Sequence, residues 1–288
     1  MTTQVNSVSD RGSNPVSGAT LSPAAFLIRG LIAGLAAGLV AFVVAFAFGE
    51  PYIDDSIELE EAGAGPAAVS SAPFASGDVL AHNGAHDDES GMVEVSRSNQ
   101  KSWGLLTGTL AMGAALGGLT ALAAAAALGR LGRLSPRSST ALVAFVGFVA
   151  VALVPFLKYP STPPAVGDGE TIGTRTAVYF TMLLVSVVAA IGAVLVARRL
   201  ADRLEGWTAV GLAAAGYLVV VGVAAALLPT VNEIGAFPAD LLWYFRRSSL
   251  FTLVALWGTI GVVLVALIGR LTDRATADAE RRELAASL

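Results

Sequence analysis

The residues best able to do chemistry lie in one polar stretch, His82-Asn83-Gly84-Ala85-His86-Asp87-Asp88-Glu89, which holds both histidines of the chain. Asn83-Gly84 favours a turn, and a turn would gather the two imidazoles beside carboxylates. Nitrogen and oxygen donors of this kind suit divalent cobalt, nickel or zinc, and affinity alone does not choose among them. The same residues read equally well as an acidic, solvated loop. The expectation is a weak, exchangeable metal site built from His82, His86, Asp87 and Asp88.

A second set is positional. Glu50-Pro51, the run Pro155-Phe156-Leu157-Lys158-Tyr159-Pro160, and Pro229 with Asn232 and Glu233 each follow or end a long apolar run. Proline at such an end frees helical carbonyls, and broken helix ends line ion sites in transporters. Proline also simply stops helices. The cavity reading predicts one vestibule at the ends of the first, third and fifth runs, with Glu50 and Glu233 as oxygen ligands. Below it, hydroxyls such as Thr181 and Ser186 are expected to line the path. Lys158 argues against a cation beside it unless one of those carboxylates pairs with it.

Other chemistries are excluded by what is missing. With no cysteine, the chain offers neither disulfides, thiolate sites nor thiol catalysis. It contains no phosphate-binding Gly-x-x-x-x-Gly-Lys-Ser/Thr loop, no His-Glu-x-x-His and no Gly-x-Ser-x-Gly elbow. No apolar run carries an acid or histidine in its middle, so no proton or sodium relay crosses them. A non-enzymatic protein without a permanently bound cofactor is expected.

The elements that must hold these residues are six apolar runs: 26–48, 104–128, 140–157, 176–196, 207–228 and 250–268. A hydrocarbon core of about 30 Å takes ~20 helical residues. Backbone groups find no water there, so each run should be a helix. The chain is 55% hydrophobic and 14% charged. The expected fold is therefore an all-α polytopic membrane protein, a bundle of six transmembrane helices with one long outer loop, 49–103. Ala45-Phe46-Ala47 resembles a processing site, but the run before it is longer than the ~7–15 residues of a signal core, and it reads as a span.

Twelve of the 18 Arg and Lys residues, among them Arg130, Arg133, Arg137, Arg198, Arg199 and Arg203, fall on the side of the termini. The positive-inside rule then places both termini in the cytoplasm of a multi-pass plasma-membrane protein. Fifteen of the 22 acidic residues fall on the other side. The chain divides into a polar tail (1–25), a membrane domain (26–271) and a second tail (272–288). In the long loop, 50–61 is acidic, 62–77 is an Ala/Gly/Ser/Pro linker, and 78–101 is polar, with too little apolar content for a core.

Glycines recur four residues apart at Gly30, Gly34 and Gly38 in the first run. In the second they pair as Gly104 with Gly108 and Gly113 with Gly117. Such grooves let two helix backbones approach closely, predicting contact between runs one and two.

The junction Pro155 to Tyr179, PFLKYPSTPPAVGDGETIGTRTAVY, resembles the signature of the CbtA family of cobalt transporter subunits. Supporting segments are Arg29-Gly30-Leu31, Gly49-Glu50-Pro51, Val95 to Lys101, Gly129 to Pro136, Leu228 to Glu233, and Phe237-Pro238. The likeness runs from about Ala25 to Leu271. It implies a membrane subunit for cobalt uptake tied to cobalamin synthesis, working with a small single-span CbtB-like partner. Its recurring polar positions here are Glu50, Arg97, Gln100, Lys158, Arg175, Asn232 and Glu233. The alternative reading is a non-transporting membrane scaffold for another membrane component, which a glycine-packed bundle without a relay suits equally well.

Overall fold

The computed structural model describes residues 22–63, 96–132 and 134–287. Six helices are long and apolar enough to cross a membrane: α1 (Pro23–Phe48), α3 (Arg97–Ala127), α4 (Pro136–Lys158), α5 (Gly169–Leu200), α6 (Gly206–Leu227) and α7 (Ala239–Ala286). A shorter helix, α2 (Glu50–Gly63), follows α1 after Gly49. Among the described residues there is no strand. The chain is thus an all-α polytopic membrane protein. One end of the bundle carries Glu50, Asp168 and Glu233 and is called the acidic end; the other carries Arg130 and Arg198 and is called the basic end.

Local chemistry starts the helices where expected. Ser22 caps α1 by accepting from the Ala25 amide, with Pro23 in the first turn. Ser135 accepts from the Ser138 amide ahead of Pro136 in α4. Serine supplies the acceptor an orphan N–H needs, and proline has no N–H to orphan. Hydropathy marks the membrane-embedded part of a helix rather than its ends. The sixth run, 250–268, accordingly lies inside a helix of 48 residues, about 72 Å long at the helical rise.

Four helices form the packed body. α1 lies against α3 and α7, and α4 closes on α3 and α7. The α1–α3 seam is the glycine contact the spacing predicts. A methyl group on Gly34 would strike the Gly113 carbonyl, one on Gly38 the Thr109 carbonyl, and one on Gly117 the Gly30 carbonyl. Backbones touch here because no side chain intervenes. Phe26, Ala33, Ala121, Ala124, Leu264 and Ile268 fill the space among the same three helices. Gly147 of α4 receives the Trp257 ring of α7, and Arg137 pairs with Asp273 at 2.6 Å at the basic end.

Gly104 and Gly108 depart from that seam. Nothing lies within 4 Å of a methyl built on Gly108, and only the Asn99 carbonyl approaches one on Gly104, at 3.5 Å. Their spacing matches the packing glycines, but they leave open space.

α5 and α6 form a separate pair. Ser186 and Tyr217 join them through their hydroxyls at 2.8 Å. α5 meets the body at the end of α4 that holds Pro155, just after a π-helical stretch from Phe148 to Leu153. Pro155 has no N–H to close an ordinary helical turn, and widened π turns commonly mark such interruptions.

Candidate functional site at the acidic end

α2 decides the geometry of the first cluster. The 50–61 stretch, expected as an acidic loop piece, is helical from Glu50 to Gly63, so Glu50 and Asp54 stand one turn apart on one face. Tyr52 stacks on Tyr244 of α7 with ring centroids 5.7 Å apart, fixing α2 against the bundle. Glu50 is 7% exposed, and Glu50 is the charged residue buried among the described residues. Its Oε2 accepts from Arg97 Nη2 at 2.5 Å, and the same nitrogen donates to Asp54 Oδ1 at 2.9 Å. Lys101 Nζ reaches Asp54 Oδ2 at 3.4 Å. Two carboxylates and two cations therefore form a neutral cluster.

Arg97 sits on the first turn of α3, and the backbone is π-helical from Gln100 to Gly104 before the α-helix resumes at Leu105. Beneath the cluster lies a cavity of about 400 Å³ among α1, α3 and α7, open on the side where Gly104, Gly108 and Met112 are exposed. Glu50, Gln100, Thr109, Met112 and Thr252 supply its polar and sulfur atoms. Gly104 and Gly108 face it, which explains why they pack against nothing.

The second cluster joins two loops. Glu233 Oε2 accepts from the Asp168 amide at 3.0 Å and from the Thr171 hydroxyl at 2.8 Å, with Arg175 Nε at 3.6 Å. Arg175 also donates to the Asp168 carbonyl at 3.0 Å. Gly167, with φ of +106°, lets the chain pass over the Arg175 guanidinium where a side chain would collide. Tyr159 donates to the Pro229 carbonyl at 2.8 Å, tying the same loops a second time. These donors, the Asp168 amide first, hold the Glu233 carboxyl below the usual carboxylate range. A cavity of about 870 Å³ opens beside it, lined by Asp168, Asn232, Glu233, Phe237 and Leu59.

A family model for the probable cobalt transporter subunit (CbtA) matches residues 24–269. The chain belongs to that CbtA family. Comparison with curated proteins and with solved structures finds no match. The match takes in the apolar run of every span and both clusters, and α7 continues beyond it to Ala286.

Within this CbtA chain, the expected site residues are distributed unevenly. His82, His86, Asp87 and Asp88 lie outside the described residues. Glu50 and Glu233 are described, and they line different cavities rather than one vestibule. Pro155 and Pro229 line neither. Neither of these two cavities brings together the ends of the first, third and fifth runs. Thr181 donates to the Ala177 carbonyl within α5, and Ser186 meets the Tyr217 hydroxyl of α6. Lys158 lies over the Tyr159 ring rather than beside either carboxylate. Among the described residues no three His, Asp or Glu side chains are grouped closely enough to hold a metal.

Thr109, Met112 and Thr252 were not singled out by sequence, while Asp54 stood only within the acidic stretch and Lys101 only within the family-like segment. The available signal was the four-residue spacing of Glu50 and Asp54, which gains meaning only once 50–63 is read as a helix.

Proposed function

We propose that this CbtA-family chain is the membrane-embedded subunit of a cobalt uptake system serving cobalamin synthesis, with divalent cobalt as its cargo. The acidic end faces outward and both termini are cytoplasmic, as the distribution of arginines favours. The observation that carries the reading is the buried Glu50 on the wall of a cavity among three packed helices. A charge is kept out of water only where a partner compensates it. Here that partner is Arg97, a cation tethered to the protein.

Cobalt enters by exchange. The exposed acids Asp55, Glu58, Glu60 and Glu61 of α2 raise the local cation concentration, helped by His82, His86, Asp87 and Asp88 as a weak collecting site. A divalent ion that displaces Arg97 and Lys101 from Glu50 and Asp54 leaves the cluster neutral, whereas a monovalent ion leaves one negative charge unbalanced. Gln100 beside the cluster, and Thr109, Thr252 and the Met112 thioether further along the cavity, then offer neutral oxygen and sulfur ligands. Glu233 acts as a second carboxylate over the larger cavity through Oε1, which has no hydrogen-bond partner among the described residues. A small single-span CbtB-like protein completes the system.

The test is radioactive cobalt accumulation in cells lacking other cobalt importers, with this chain expressed alone and with the small partner. Uptake that saturates at low cobalt and resists excess magnesium supports the proposal. Absence of uptake in both cases, with the protein shown to be in the membrane, moves the reading to the scaffold.

A further inference from the structure

We propose that Arg246 and Arg247 of α7 form a binding site for the phosphate of an anionic phospholipid headgroup at the acidic end of the bundle. The inference is independent of cobalt transport.

The first observation is an imbalance of pairing. At an end of the molecule rich in carboxylates, Arg97, Lys101 and Arg175 each hold one. Lys158, Arg246 and Arg247 have no carboxylate partner among the described residues, and of these only the two arginines are neighbours on one helix. Arg246 Nε is buried and has no hydrogen-bond partner there. An unsatisfied guanidinium N–H is costly, and the Arg246 side chain, half-buried as a whole, relieves it by turning toward an acceptor from outside the described chain.

The second observation is where the pair sits. Trp243, Arg247, Phe251, Val254, Gly258 and Val262 are all exposed and fall on one face of α7. Below Arg247 that face is wholly apolar, which is the surface lipid tails cover. The apolar run begins at Leu250, so the two guanidinium groups stand at headgroup depth. Trp243, 65% exposed, and Tyr244 belong to the aromatic belt found at that depth. The Arg247 guanidinium lies 4.8 Å from the Tyr244 ring centroid, and Tyr244 is itself stacked on Tyr52. Its orientation is therefore set before a ligand arrives. Between Ala239 and Ile268 the only acidic residue is Asp240, so α7 itself offers little repulsion. Forked guanidinium donors match phosphate oxygens better than ammonium groups do.

The experiment titrates the detergent-purified full chain with phosphatidylglycerol, phosphatidylcholine or inorganic phosphate and counts bound molecules by native mass spectrometry. Retention of phosphatidylglycerol in preference to phosphatidylcholine is expected, with a loss of about fivefold in affinity for each arginine replaced in Arg246→Gln/Arg247→Gln. Arg247→Gln, whose side chain is exposed and touches the Tyr244 ring, carries the test if the double variant does not fold. Equal retention of phosphatidylcholine, unchanged affinity in the variants, or displacement of the lipid by low concentrations of inorganic phosphate would each overturn the proposal.

Discussion

Glu50 and Glu233 are the same side chain given the same partner type, yet they sit in opposite surroundings. Each lies just beyond the end of a span and each is held by an arginine in the first turns of a neighbouring helix, Arg97 or Arg175. Glu50 is buried against the tightly packed body, above a cavity that two glycines keep open. Glu233 is a loop residue whose Oε2 takes two donors from the facing loop besides its arginine. The same pairing of glutamate with arginine is thus a poised binding group in one place, at 2.5 Å, and one part of a fastener in the other, at 3.6 Å. What separates them is burial and the number of competing donors; space for a ligand adjoins both.

Breaking the packed body has the largest expected effect. Gly34→Leu drives a side chain into the α3 backbone and should destabilise by more than about 3 kcal/mol, seen as lost monodisperse protein in detergent. Gly108→Leu adds the same side chain where nothing lies within 4 Å. It should keep the wild-type melting temperature within about 3 °C and still block uptake by filling the cavity.

Next comes the carboxylate comparison. Glu50→Gln should lower cobalt uptake by about tenfold or more, the worth of a charged contact in a poorly hydrated site. Glu233→Gln, losing one of two proposed carboxylates but keeping an acceptor for the Asp168 amide, should lower it by about threefold. Equal losses would erase the distinction between the two regions. Arg97→Gln should weaken divalent-over-monovalent discrimination measured by competition with potassium, because the tethered cation no longer sets the charge that an ion must replace.

The smallest effect concerns pH. The folded-state pKa of Glu233 is depressed, so its contribution is present above the ordinary carboxylate pKa and is lost only as pH falls through the lower folded value. Hydrogen exchange at the Asp168 amide should be insensitive to ionisation of Glu233 from neutral pH down to about 5 and accelerate, after correction for intrinsic rates, only below the usual carboxylate range. Loosening near pH 6 would mean that another group fastens the loops.

The spans were legible in the sequence because hydrocarbon demands long apolar runs, and the Gly30, Gly34 and Gly38 seam because close helix approach demands small residues at helical spacing. The same spacing misled at Gly104 and Gly108, since small residues permit contact or open space alike and only the position of α1 decides which. The Glu50–Arg97 pair was not legible: the two residues are 47 positions apart, and their meeting depends on α2 turning back over the bundle. The α2 helix itself was hidden because its polar composition resembles that of a solvated loop, while Tyr52 stacking on Tyr244 supplies an anchor no local pattern reveals.

The most direct measurement of the central claim is cobalt accumulation by cells expressing the wild type, Glu50→Gln and Gly108→Leu at matched membrane levels together with the small partner. The account predicts saturable uptake in the wild type and about tenfold or greater loss in both variants, with folding intact. Wild-type uptake in either variant would remove the Glu50 cavity from the path of the metal.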